Sequence, residues 1–458
     1  MQETSKHTID TLLQKQKSFF SSDQTKSIPF RIAQLKKLKK MVLSNQNLIE
    51  EALWNDLHKS PEEAYLTEIS LVTGEIDYHL KRLKKWARPT RVKTPIHLFP
   101  SSSKIIHEPL GTALILAPWN YPFQLLINPL IGSISAGCTS IIKPSPDTPN
   151  VARVIEKIIE KTFEDSYIAV VQGGKETNTI LFHEAFDIIF FTGSPRVGKV
   201  VMEAASKKLT PVVLELGGKS PCIVDADANI KVAAKRIAWG KLINAGQTCI
   251  APDYLFAHQD IKDELLDEIA KNFVEMYGND VKNSRFYPRI VNNRAVDRLS
   301  KLMNEGKIHT GGEIDEKQKY IAPTIIDNVL PEHPIMQEEI FGPILPVLTF
   351  SKINQVTDYV NSHEKPLAFY YFGTNNQAKN VLKKTSSGGA CINDTLMHIV
   401  NHNLPFGGVG NSGMGKYHGK ESFEVFSNRR SIITTPTWLD LPVRYAPFKY
   451  FKWVKKII

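Results

Sequence analysis

Asp187–Lys199 reads DIIFFTGSPRVGK. A β-rich apolar run, Asp187 to Thr192, meets a glycine turn, and residues suited to a helix follow. A helix that starts at such a turn offers unpaired N–H groups and the positive end of its dipole to a phosphate. The spacing narrows the choices. Gly193 to Lys199 nearly spells a P-loop, but Val200 stands where Ser or Thr would hold Mg²⁺. Gly218-Lys219-Ser220 fails too, because Val213 occupies the place of the first glycine. The second glycine of G-x-G-x-x-G is also missing. Phosphoryl transfer from ATP is therefore disfavoured, and the turn reads either as a phosphate cradle or as a plain strand–helix connection.

The same alternation extends on both sides. Gly111–Ala117 is a strand candidate that ends in Pro118-Trp119-Asn120-Tyr121-Pro122, and Leu125–Ala136 is a helix candidate. Thr139–Lys143 and Ile168–Val171 read as strands; Val151–Phe163, Thr177–Phe182 and Val197–Leu209 read as helices. Strands alternating with helices predict parallel β-α-β units in a doubly wound sheet, which binds ligands at the carboxyl ends of its strands. A second α/β block spans about 213 to 390, with strand-like Pro211–Leu216, Tyr254–Ala257 and Ile344–Phe350 and helix-like Ile230–Leu242, Lys262–Met276 and Gln377–Lys384. Residues 1–85 carry helical apolar spacing. In 86–107, Pro89, Pro95 and Pro100 favour an extended arm or linker.

A chain of 458 residues is too long for one core, so two or three domains are expected. Cys138, Cys222, Cys249 and Cys391 form no C-x-x-C pair and are too sparse for a disulfide scaffold. Reduced thiols and a cytoplasmic setting follow as expectations. The polar start, MQETSKHTID, lacks the apolar core of a signal peptide, and no run approaches the ~18 apolar residues of a membrane span. The net charge of +10 is spread along helix-like stretches such as Arg31–Lys40. Few aromatics interleave with it, which argues for solvated helix faces and against nucleic-acid binding.

Three stretches carry possible chemistry. Cys249 lies among small and polar residues between Gly246 and Pro252, at an interrupted element. Alone it is either a presented thiol or a small core hydrophobe. Glu215 sits between two leucines near a strand end. Burial there would raise its pKa toward that of a general base, unless Lys219 or another cation pairs with it. Gln337–Pro343 carries Glu338 and Glu339 before a Phe341-Gly342 turn, an ordinary surface turn or a ligand for vicinal hydroxyls. His398 and His402 stand four apart without the glutamate of H-E-x-x-H, so they read as loop histidines and no metal site is expected.

In order, PWNYP at 118–122, IIKPS at 141–145, FTGS at 191–194, LELGGKSP at 214–221, GQTC at 246–249, EEIFGP at 338–343 and LPFGGVGNSG at 404–413 resemble the aldehyde dehydrogenase superfamily over nearly the whole chain. GQTCIAPDY and PFGGVGNSGMGKYHGKESFEVFS are similar to the class 3 branch, the fatty and aromatic aldehyde dehydrogenases.

The resemblance implies an α/β fold. A Rossmann-like dinucleotide-binding domain (1–85 and 108–212) would join an α/β catalytic domain (213–391). A small β oligomerisation arm (86–107 and 392–430) would make a homodimer, and 431–458 would be a C-terminal extension. It implies NAD(P)-dependent oxidation of aldehydes, with Cys249 as nucleophile, Asn120 and the Cys249 N–H holding the oxyanion, and Glu215 activating water. It implies NAD or NADP bound near Gly193, Ser194 and Gly198, with Lys143 on the adenine-side ribose, Glu339 on the nicotinamide ribose and Phe341 beside the nicotinamide. Many relatives carry Glu at the position of Pro146; without it the choice of NAD or NADP is open. Tyr65 and Tyr121 would wall a pocket for medium to long aliphatic or aromatic aldehydes.

An acylating, coenzyme A-dependent relative is the enzymatic alternative, disfavoured by Glu215. A catalytically silent cofactor-binding protein is another, disfavoured by the joint presence of Asn120, Glu215 and Cys249. A hydrolase without redox chemistry would leave the cofactor motifs unused. The lysine-rich tail, with Trp438, Tyr445, Phe448, Tyr450, Phe451 and Trp453, reads as a packed extension before peripheral membrane contact.

Overall fold

The computed structural model describes residues 2–440, 442–448, 450–452 and 455. The strand read at Asp187 spans Ile188–Gly193 and lies inside a six-stranded sheet. The sheet order is Gly413–Met414, Val212–Leu216, Ile188–Gly193, Thr112–Leu116, Thr139–Lys143, Ile168–Val170. All pairs are parallel except that of Gly413–Met414. Strand alternation divides the side chains between two cores. Ile188, Phe190, Ala113 and Ile115 enter the larger one. Ile189, Phe191, Leu114 and Leu116 enter a second with Ile9, Leu13 and Val201. Both faces are covered, which is why these strands are apolar at nearly every position.

A seven-stranded sheet holds Lys307–Thr310, Thr324–Asp327, Ile344–Phe350, Tyr254–His258, Pro221–Val224, Ala368–Phe372 and Gly389–Ile392 in that order. Only the edge strand Lys307–Thr310 is antiparallel. Thr90–Val92, Ser102–Pro109 and Ser427–Thr434 form a third, antiparallel sheet, mostly exposed or half-buried.

Several expectations need correction. The span 392–430, read as one segment, divides between sheets, with Gly413–Met414 in the six-stranded sheet and Ser427 onward in the small one. Gly413–Met414 pairs with Glu215 and Leu214 in the six-stranded sheet, and the helix Lys420–Val425 packs on the helix Gln124–Ala136. The strands of the small antiparallel sheet reach Pro109 and Thr434. The helix expected to reach Leu209 ends at Ser206, because Leu209 takes the left-handed φ of 53° and the Thr210 N–H folds back onto the Ala205 carbonyl. Of the tail's aromatics, Trp438, Tyr445, Phe448, Tyr450 and Phe451 are exposed, and Trp453 lies outside the described residues. Among the described residues no helix is long and apolar enough to cross a membrane.

One edge of the six-stranded sheet organises the molecule. Lys143, Gly193 and Leu216 end neighbouring strands there, and Asn120 follows the end of a fourth at Leu116.

Candidate active site

The helix Ile230–Leu242 runs into a 3-10 turn, Ile243–Gly246, where Asn244, Ala245 and Gly246 take φ values of 54°, 51° and 74°. Left-handed backbone is costly for the first two, so something must hold it. The Asn244 N–H donates to Glu63 Oε1 at 2.8 Å. Asn244 Nδ2 donates to the carbonyl oxygens of Asn120 at 2.8 Å and Gln247 at 3.0 Å. Gly246 lies against the Gly342 carbonyl with no room for a side chain. Cys249 thus emerges half-buried on the wall of a cavity of about 600 Å³. Burial pushes its thiol well up, and the nearby Glu339 and Glu215 carboxylates add to this. The backbone N–H groups of Cys249 and Ile250 act the other way, favouring the thiolate.

Glu215 reaches the same cavity from the strand Val212–Leu216. It is 3% exposed, and neither carboxyl oxygen has a hydrogen-bond partner among the described residues. Burial raises its pKa well above the ordinary value, and the ammonium of Lys416 only partly opposes this. Pairing with Lys219 does not occur: that ammonium binds Asp253 and the carbonyls of Ile335 (2.9 Å) and Glu338 (2.8 Å). A carboxyl that is buried, unpaired and beside a thiol is poised to take a proton.

Asn120 is 2% exposed, and its Nδ2 donates to the Gln247 carbonyl at 3.0 Å. Its own carbonyl accepts from Lys59 Nζ at 3.1 Å. Lys59 is fully buried and paired at 2.7 Å with Glu68, whose other oxygen accepts from the N–H groups of Phe123 (2.9 Å) and Gln124 (3.1 Å). The Lys59 ammonium also lies 4.0 Å from the centre of the Tyr121 ring, and the Tyr121 hydroxyl bonds Thr248 Oγ1 at 2.7 Å. One buried ion pair therefore braces both Asn120 and Tyr121.

On the other side, Gly193 closes its strand, and Ser194 caps the helix Pro195–Ser206, its Oγ accepting from the Val197 N–H at 3.4 Å. A Cβ on Gly198 would lie 2.7 Å from Leu216 Cδ2, so glycine lets helix and strand close up. A second cavity of about 280 Å³ borders Pro195, Gly217, Gly218, Glu339 and Ser412. Burial pushes the Glu339 carboxyl up to about 8, and the Gly218 N–H acts the other way. Phe341, at φ 53°, sets its ring 5.3 Å from that of Trp119. Lys143 is 3% exposed, and burial lowers its ammonium to about 8; its hydrogen bond is to the Pro144 carbonyl at 3.1 Å. A glycine-lined cleft with a helix start, a buried ammonium and a carboxylate along one sheet edge fits a dinucleotide.

Tyr121, Thr248, Cys249 and Glu215 line the larger cavity, but Tyr65 does not. Tyr65 opens the π-turn Tyr65–Ile69 and points outward, 42% exposed; Leu66 and Leu71 border the cavity instead. Of the two histidines read as loop residues, His398 lies in the 3-10 turn Met397–Ile399, 3.2 Å from Cys391 Sγ, and His402 binds Glu75 at 2.6 Å. Among the described residues no cluster suits a metal ion. Sequence reading missed Lys59, Glu68, Glu63 and Lys416. Only Lys416, inside the glycine-dense stretch 407–419, carried a local signal.

An aldehyde dehydrogenase family model matches residues 1–432. The 4,4'-diaponeurosporen-aldehyde dehydrogenase of Staphylococcus aureus (strain NCTC 8325 / PS 47) is 50% identical over 443 residues, covering 96% of this chain and 96% of its own. The dimeric, NADP-preferring aldehyde dehydrogenase of Canis lupus familiaris is 43% identical over 442 residues, 96% of this chain and 98% of its own. Among solved structures, the substrate-bound state of Staphylococcus aureus AldH matches with a TM-score of 0.96 at 50% identity, covering 98% of this chain and 99% of its own.

Proposed function

We propose a mechanism from one premise: the chain belongs to the aldehyde dehydrogenase family and oxidises aldehydes to carboxylic acids with NAD or NADP. The observation that carries the mechanism is the meeting of the Cys249 thiol and the unpartnered Glu215 carboxyl on one apolar cavity.

The Cys249 thiolate attacks the aldehyde carbon and forms a thiohemiacetal. Asn120 Nδ2, which has a second N–H beyond the one given to Gln247, and the Cys249 N–H receive the developing oxyanion. NAD or NADP, when bound, supplies a hydride acceptor. Loss of hydride leaves a thioester on Cys249. Glu215 takes a proton from water, the resulting hydroxide attacks the thioester, and the acid leaves as the thiolate is regenerated. Lys143, Gly193, Ser194, Gly198, Glu339 and Phe341 would hold the dinucleotide.

The cavity's walls, including Leu125, Trp239, Tyr277, Phe406 and Tyr417, favour medium to long aliphatic or aromatic aldehydes. We assign the six-stranded sheet with its helices to cofactor binding and the seven-stranded sheet to the catalytic domain. The outer edge of Ser427–Thr434 is unpaired among the described residues, and a homodimer would cover it. A cytoplasmic location suits four free cysteines.

The test is NAD(P)H absorbance with a panel of aldehydes. Cys249→Ser is expected to lose more than about a thousandfold in kcat. A Cys249→Ser variant with the wild-type rate would remove Cys249 as nucleophile, and a wild type inactive on every aldehyde would sink the reading.

A further inference from the structure

The parallel sheet sets Thr139–Lys143 beside Ile168–Val170, with the Val171 N–H donating to the Ile142 carbonyl at 3.0 Å. The loops leaving these two strands are therefore neighbours. One carries Lys143 and Pro146; the other opens the helix Lys175–His183. That helix start is already occupied by the chain's own N-terminal segment. Glu3 Oε1 accepts from the Gly174 N–H at 3.0 Å, and Oε2 accepts from the Thr177 N–H at 2.9 Å and from the Thr177 hydroxyl. Thr4 fastens the segment, donating from N to Thr177 Oγ1 at 3.0 Å and from Oγ1 to the Gln172 carbonyl at 2.6 Å. The bond from the Thr177 hydroxyl, with those from the backbone, holds the Glu3 carboxyl below its usual range, so it is ionised at neutral pH. Its charge is felt at Lys143: against the burial that lowers that ammonium, Glu3 and then Asp147 act to raise it.

We propose that Glu3 is the cofactor-selecting acid of this enzyme, reached from the far end of the chain and filling the role that Pro146 leaves vacant. The inference rests on the placement of the adenine-side ribose at Lys143. A 2′-phosphate beside Lys143 would meet the charge of the Glu3 carboxylate, which already takes the N–H groups of Gly174 and Thr177. It must displace Glu3 or sit next to it. A 2′-hydroxyl meets no such cost and gains an acceptor. NAD is therefore favoured over NADP. Because Glu3 is solvent-accessible, the discrimination is modest, about tenfold, and shrinks as salt screens the charges.

The experiment is a fluorescence titration of the full chain with NADH and with NADPH, in wild type, Glu3→Gln and Asp147→Asn. Wild type is expected to bind NADH about tenfold more tightly, and Glu3→Gln to tighten NADPH about tenfold while NADH stays within about threefold. A role of Glu3 in folding alone would move both cofactors together and overturn the proposal. So would an unchanged NADH-to-NADPH ratio in Glu3→Gln, or a shift seen only in Asp147→Asn. If wild type binds neither nucleotide, the cofactor reading itself fails and the proposal with it.

Discussion

Glu75 and Glu215 are equally well buried, 1% and 3% exposed, and chemically opposite. Glu75 is hydrogen-bonded to His79 Nε2 at 3.0 Å, His402 Nδ1 at 2.6 Å and the Gly419 N–H at 2.7 Å. Burial alone would raise its pKa, but the bonds from His402 and His79 overcome it and hold the carboxyl well below the usual range. Glu215 has no such donor among the described residues, and burial lifts it. Burial does not decide what a carboxylate does; the supply of donors does. Glu75 ties the helix Ser70–Trp86 to the returning segment 402–419, and that same segment lays Gly413 beside Glu215. One glutamate uses its hydrogen-bonding capacity to tie two segments together, and the other, among the described residues, leaves its capacity unused, as the proposed role with water requires.

The contrast can be broken most sharply at Glu215. Glu215→Gln should lower steady-state kcat by about 10²–10⁴-fold while a rapid initial burst of NADH survives, because only thioester hydrolysis needs the base. An unchanged steady state would end its role. Stability should move in the mutant's favour at high pH. A carboxyl raised in the folded state contributes stability that is lost as pH rises through its folded value, and glutamine does not titrate.

Glu75→Gln should do the reverse, costing about 2–3 kcal/mol in urea unfolding with kcat kept within about threefold. The sign of its pH dependence is opposite as well. A lowered carboxyl contributes stability present above the ordinary value of 4.5 and lost as pH falls through its lower folded value, so the gap to wild type should close in acid. A Glu75→Gln protein that is stable but inactive would erase the distinction. Lys59 and Glu68 sharpen it as an intermediate case, a buried pair that braces Asn120 and Tyr121, for which a place in the site is proposed. Lys59→Met should lower kcat about tenfold with KM within about threefold, and Lys59→Arg should restore part of it. Equal losses in kcat for Met and Arg, or a change confined to KM, would reduce the pair to scaffolding.

Much of this was readable in the chain. Ile188–Phe191 and Ala113–Leu116 announce strands covered on both sides, because sustained apolar runs end at glycine or proline. Cys249 and Glu215 stand out since each is a reactive group in an apolar or interrupted setting. What stayed hidden is decided by packing between distant segments. Gly413–Met414 is a two-residue strand whose identity comes from Glu215, 198 positions earlier in register terms only through the fold. Lys307–Thr310 and Thr324–Asp327 are short and mixed in polarity, so they carry little periodicity. Tyr65 misled because neighbouring residues in a helical turn face different ways, and the cavity takes Leu66 and Leu71. No local pattern tells Lys59 to meet both Glu68, nine positions on, and the carbonyl of Asn120, 61 positions on.

The left-handed turn before Cys249 also bears on how the enzyme comes into being. Its supports, Glu63, Asn120 and Gly342, are contributed from far apart along the chain. Loop closures of that length form late in folding. Until they do, the residue at 249 is an ordinary cysteine on a flexible backbone, without the carbonyl and amide neighbours that set its reactivity. The geometry of the site is thus a late product of assembly.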